Sequence, residues 1–199
     1  MLNKKLISKI SQNLGSFQKE RDYIFNRSRE ILQNAKEAIF AAHRQDFKMA
    51  NNKIAAAEKI LLYLQKEYNK DNRLKFEGSY KACLEEYVEA KMFIAALLKQ
   101  ELKEVAGINI GPEEYIGGLA DMTGELVRQA VLQATASHYD SLIEYRRLSE
   151  EIVATLMKLY LTGALRQKFD EAKRNLKRLE QIQYDITIRH LDHDENIQD

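Results

Sequence analysis

Tryptophan is absent from this chain, and cysteine and proline occur once each in 199 residues. The lone Cys83 excludes an intramolecular disulfide framework and a cysteine-based zinc cluster. It points to a reducing, cytoplasmic compartment. One proline and eight glycines are too little punctuation for a many-turned β-fold and favour long helices. No hydrophobic run is long enough to cross a bilayer; the strongest, Met92 to Leu98, is far too short. The opening MLNKKLISKISQNLG spaces its apolar residues helically among lysines, unlike a signal peptide. Charge of one sign is also lacking. Lys plus Arg is 31 and Asp plus Glu is 30, a net charge of +1. Any anion must therefore be bound by local segregation of charge. Catalytic signatures are missing too: no phosphate-binding glycine loop with lysine, no GxSxG and no HExxH. A di-iron bundle requires Glu-x-x-His, but Phe40, Thr135, Thr187 and His190 stand three before the histidines.

What is present is helical periodicity. A short amphipathic segment, residues 1–15, is expected to end at Gly15-Ser16. Helices are expected from about Phe17 to Arg44, Asp46 to Tyr68, Lys75 to Val105, Pro112 to Ala136, His138 to Tyr160 and Ala164 to Arg189. Gly107 suits a helix C-cap, and Pro112 suits the first turn of the next helix. The polar tail, residues 190–199, is expected to fray. The expectation is one all-α domain over 1–199, a bundle of six or seven helices.

Two acidic pairs stand out from the charge background. Glu86 and Glu89 are three apart, on a stripe with Ala82, Cys83, Ala90, Phe93 and Leu97. Asp121 and Glu125 are four apart, on a stripe with Gly118, Arg128 and Leu132. The neighbouring stripe, Ile116, Leu119, Thr123, Leu126 and Ala130, is the core-facing one. Gly117, Gly118 and Gly124 would admit a close neighbour, and each costs a helix about 0.5–1 kcal/mol relative to alanine. Carboxylates from facing helices suit Mg²⁺ or Mn²⁺, which take hard oxygen ligands. The plain alternative is exposed ion pairs.

Basic residues form two groups. Arg29, Lys36 and His43 recur every seven residues along one helix face. Arg166, Lys168, Lys173, Arg174, Lys177 and Arg178 crowd the last helix, with Glu171 and Glu180 among them. Either group could hold phosphates; internal ion pairing explains the second equally well. Tyr80, Tyr87 and Tyr115 would serve the core more readily than they would stack on bases.

With these residues in view, the chain resembles the translin family, and its TRAX branch more than translin itself. Residues Glu114–Arg128, EYIGGLADMTGELVR, are similar to the family's D/E-Y-L-x-G-x-A-D-L-T-G-E-L-M-R motif. Glu86–Ala90 (EYVEA), Ser28–Arg44 (SREILQNAKEAIFAAHR) and Tyr184–Arg189 (YDITIR) add weaker matches in the family's order.

The resemblance implies a seven-helix fold that assembles into a hollow, octamer-like particle. It further implies a metal-dependent endoribonuclease acting on single-stranded or short duplex RNA. Its catalytic acids carry over to Glu86, Glu89 and Asp121, with Glu125 as a further metal ligand. Arg29, Lys36 and Arg128 become candidates for holding RNA phosphates. The chain is shorter than eukaryotic TRAX at both ends, and a homo-oligomer without a membrane partner is expected. Two other readings stand beside this one. The first is a translin-like particle that binds single-stranded RNA or DNA without cutting it. The second is a helical scaffold whose acids form plain ion pairs.

Overall fold

Helix ends built from non-glycine residues shape this molecule. The computed structural model describes residues 3–195, which hold six α-helices, a 3-10 turn and no strand. The helices are α1 (Lys4–His43), α2 (Phe47–Tyr68), α3 (Gly78–Leu97), α4 (Pro112–Thr135), α5 (Asp140–Met157) and α6 (Gly163–Glu195). The 3-10 turn, Lys70–Phe76, joins α2 to α3. The all-α expectation of six or seven helices holds. Among the described residues no helix is long and apolar enough to cross a membrane.

Three helices close with one device. After α1, α3 and α4 the chain enters the left-handed region at Gln45 (φ 61°), Lys99 (φ 55°) and Ser137 (φ 61°). In each case the next amide donates to a carbonyl five residues back: Asp46 to Ala41, Gln100 to Ala95, His138 to Gln133. The left-handed residue itself donates to Ala42, Ala96 or Ala134. This is the paired-bond Schellman termination, usually carried by glycine. It corrects the sequence reading of α3, which stops at Leu97 and not near Val105. Gly107 lies in the following loop at φ 81° and caps no helix. Helix starts follow the ordinary chemistry. The Asn3 side chain accepts from the amides of Lys5 and Leu6, and that of Asp46 accepts from Met49.

The chain groups into two compact units. One comprises Met1–Tyr87 and Glu104–Ile110; the other comprises Val88–Lys103 and Gly111–Asp199. The division falls inside α3 and not at a linker. In the first unit α1 packs against α2. Ile24, Ile31, Ala35 and Ala42 of α1 and Ile54, Ala57, Leu61 and Leu64 of α2 are buried, as their periodicity predicts. The Gln65 side chain of α2 clamps the loop after α3. It donates to the Asn109 carbonyl at 2.7 Å and accepts from the Asn109 amide at 2.9 Å. In the second unit α4 packs against α5 and α6, and α5 packs against α6. Met122, Leu126, Ile152, Val153, Phe169 and Leu179 are buried there.

Two terminal expectations are corrected. The segment 1–15 is no separate helix, because α1 runs unbroken through Gly15. One glycine costs an otherwise helical stretch only about 1 kcal/mol, too little to break it. At the other end α6 extends to Glu195, beyond the expected end near Arg189, and residues 196–199 of the expected tail lie outside the described residues.

Left-handed geometry at a residue bearing a Cβ costs roughly 1 kcal/mol. Gln45 is exposed at such a site. Gln45→Gly should therefore stabilise the protein by up to about 1 kcal/mol, read as a rise in denaturation midpoint at unchanged slope. A fall in midpoint would show that the Gln45 geometry is not strained.

Candidate functional site

The second acidic pair sits on α4, a helix buried on most of its faces. Glu114, Gly117, Gly118, Ala120, Met122, Thr123, Leu126, Val127, Gln129 and Ala130 are all buried. The helix begins with Gly111 as N-cap, Pro112 in the first turn, and Glu113 and Glu114 as its first acids. The Glu114 carboxylate folds back against Gly111, in the place a Cβ there would occupy. It thus lies at the positive end of the helix dipole, a structural task for the first acid of EYIGG.

Asp121 and Glu125 follow one turn apart, both half-buried. Asp121 is ion-paired with Lys168 of α6. Glu125 lies 3.6 Å from Arg128 on its own helix. Between them the buried Thr123 hydroxyl donates to the Ala120 carbonyl at 2.7 Å and accepts from the Asn175 side chain of α6 at 3.0 Å. Two polar links thus fix α6 to the face of α4 that carries the acids. Gly124 has room to spare: a Cβ there would meet Asn175 at an ordinary 3.5 Å. Close packing of α6 therefore does not require that glycine.

On α3, Glu89 is buried at 8% exposure and Glu86 is half-buried. The burial of Glu89 fits its place on the apolar stripe, since a buried carboxylate is retained only with partners. Glu85, read as an ordinary surface residue, is half-buried as well. The expected apolar neighbours Cys83, Ala90 and Phe93 are buried, and Ala82 is exposed. Desolvation pushes the Cys83 thiol up to about 12, making it a packing residue and not a nucleophile. Tyr80 and Tyr87 are buried core residues, and Tyr87 donates to Glu58 at 2.7 Å.

The basic residues divide. Arg29 and Lys36 are exposed on α1, but His43 is buried. A straight helix drifts about 20° per seven residues, so a heptad face has turned about 40° after two repeats. On α6 the first part of the basic stretch is internally paired. Arg166 lies 3.2 Å and Lys173 2.7 Å from Asp170, whose carboxyl they hold below its usual range, Lys173 more than Arg166. Arg174 donates to Glu171 at 2.9 Å. Lys177 and Arg178 are exposed. Arg178 and Arg128 line one shallow groove of about 340 Å³ together with Asn175, Gly124 and Val131. Lys168 and Arg178 were visible only as members of a basic run. What singles them out is their placement opposite Asp121 and Arg128.

Whether these residues suit a divalent ion turns on two observations. The donor chemistry fits, because all four acids are hard oxygen ligands on helices. Among the described residues, however, no three His, Cys, Asp or Glu side chains are gathered into a group able to hold a metal. Asp121 is already balanced by the Lys168 ammonium.

Thr123→Val removes a buried acceptor and leaves the Asn175 amide short of a partner. It should cost about 1–3 kcal/mol of unfolding free energy. The double variant Thr123→Val/Asn175→Leu should recover part of that loss in a double-mutant cycle.

The Translin family model matches residues 7–190. Translin of Gallus gallus is 30% identical over 121 residues, covering 60% of this chain and 53% of that protein. Translin of Homo sapiens is 27% identical over 119 residues, covering 59% and 52%. The chain thus matches about half the length of these curated relatives. The crystal structure of AfC3PO superposes with a TM-score of 0.84 at 21% identity, covering 93% of this chain and 98% of that one. The AfC3PO–duplex RNA complex gives 0.81 at 19% identity, covering 93% and 98%. Apo-NeC3PO gives 0.81 at 19%, covering 92% and 97%. At these identities the structural likeness speaks to the fold. With the family model spanning most of its length, the chain belongs to the translin family.

Proposed function

We propose that this protein is a TRAX-like, metal-dependent endoribonuclease that works as a cytoplasmic homo-oligomer enclosing its RNA. The observation that carries the reading is the pair of acidic stripes on α3 and α4. Glu89 is buried, and Glu86, Asp121 and Glu125 are half-buried, all in the two segments that carry the resemblance to the family. In this reading Glu86, Glu89, Asp121 and Glu125 are the ligands of Mg²⁺ or Mn²⁺, and Asp121 would have to exchange the Lys168 ammonium for the ion. When bound, such an ion supplies charge neutralisation at the phosphodiester and a water of lowered pKa.

The chain's own residues have separate tasks. Lys168 positions the Asp121 carboxylate from α6. The Thr123–Asn175 hydrogen bond keeps α6 in register with α4. Arg128 and Arg178, in one groove, hold phosphate oxygens, and Arg29 and Lys36 add exposed positive charge on α1. The relative crystallised with duplex RNA supports RNA as the ligand class.

Two observations favour a second reading, in which RNA or single-stranded DNA is bound and not cut. Asp121 is ion-paired with an ammonium, and the curated relatives named above are translins.

The test is a labelled single-stranded RNA and a short RNA duplex incubated with the protein under Mg²⁺, Mn²⁺ or EDTA, with binding read by gel shift in the same samples. Wild type should cut with a divalent ion and not with EDTA. Glu89→Gln should reduce cutting by roughly a hundredfold or more while leaving binding intact. Arg128→Ala should weaken binding across sequences and lower the salt slope by about 1. RNA bound under both ions but never cut would establish the binding-only reading.

A further inference from the structure

The first turns of α1 bury nothing. From residue 3 to Tyr23 no side chain is buried, and Ile24 is the first core residue. Yet this stretch is strongly amphipathic. Leu6, Ile7, Ile10, Leu14 and Phe17 are between 42% and 54% exposed. At 100° per residue these five fall within about 100° of the helix circumference, one continuous apolar stripe. The charges around it have one sign. Lys4, Lys5 and Lys9 precede any acid, the first being Glu20. Phe17 is partly covered by the Arg73 guanidinium at 4.0 Å from its ring, and the stripe before it has no such cover among the described residues. Removing a contiguous apolar stripe from water is favourable, so an arm of this composition calls for an apolar receptor.

The second unit holds a receptor of opposite character. The end of α3, the segment after it, α4 and α5 enclose a groove of about 590 Å³. Its floor includes Leu119, Leu148, Ile152 and Leu156. Its rim carries Glu101, Glu144 and Glu151; Lys99 is bonded to Glu144 at 2.8 Å and Lys103 lies 3.0 Å from Glu101, which leaves one acid in excess. Glu151 is exposed and has no ion-pair partner among the described residues. An apolar floor with a net acidic rim complements an apolar stripe flanked by lysines.

We infer that the basic, apolar N-terminal arm of α1 from one copy of this chain docks in the acid-rimmed α3–α5 groove of another copy. The contact rests on the homo-oligomer reading above and specifies its surfaces. It is heterologous, with each copy giving an arm and receiving one, so assembly must close as a ring or continue as a filament.

The test uses the full chain and its mass by sedimentation velocity and light scattering, with circular dichroism to confirm helical content. One variant reverses the arm (Lys4→Glu, Lys5→Glu, Lys9→Glu) and another reverses the groove (Glu101→Lys, Glu151→Lys). All five positions are exposed, so the fold should survive. Each variant alone sets like charges against each other and should weaken assembly by roughly tenfold or more. Mixed one to one, every arm–groove contact between unlike variants is complementary, so alternating copies should regain the wild-type assembly. Ile10→Lys should dissociate wild type and should not be rescued by the groove variant. An oligomer whose mass is indifferent to the arm, or a mixture that stays dissociated, overturns this contact while leaving the oligomer reading in place. A wild type that is monomeric at every concentration overturns both.

Discussion

A helix buried on most of its faces has few ways to carry charge, and α4 imposes that constraint on everything around it. Its buried set, from Glu114 to Ala130, runs round nearly the whole circumference. Small residues at Gly117, Gly118 and Ala120 share that surface with Met122, Leu126 and Val127. Polar groups are admitted only where a neighbour answers them. Thr123 is answered by Asn175, Asp121 by Lys168, and Glu114 by the start of its own helix. The motif EYIGGLADMTGELVR is therefore first a packing solution, and its acids are carried on the most constrained helix of the second unit.

That placement gives α6 a double role. Its apolar positions Phe169, Ala172 and Leu179 complete the core, while Lys168 and Asn175 reach the polar face of α4. The remaining charges mostly cancel along the helix through Asp170 and Glu171. Exposed pairs of this kind are screened by water and contribute little, so they keep the helix solvated more than they hold the fold. What remains for a ligand is narrower than the run of six basic residues suggests: Arg178 and Lys177 at its far end, with Arg128 beside Arg178 across the groove.

Periodicity placed α2, α4 and the core stripes of α1 nearly to the residue, because those helices bury one clear face and start on recognisable caps such as Asp46 and Gly111-Pro112. It failed where local chemistry was silent. Lys99 in a left-handed turn ends α3 early, and nothing in a lysine announces that geometry. Gly15 suggested a break, but its cost in the middle of α1 is too small to make one. His43 shared a heptad face with Arg29 and Lys36 and still went to the core, because the drift of a straight helix turned it inward.

The sequence by itself determined the helical class, the family and the two acidic stripes, since each depends on spacing along one helix or on a contiguous motif. Only the tertiary structure decided which charges lose their freedom. Lys168 and Asp121 stand 47 positions apart, and Thr123 and Asn175 stand 52 apart. No local pattern ties such residues together. Their pairing exists because α6 returns along α4, and polar atoms enclosed there must find partners in each other once water is excluded.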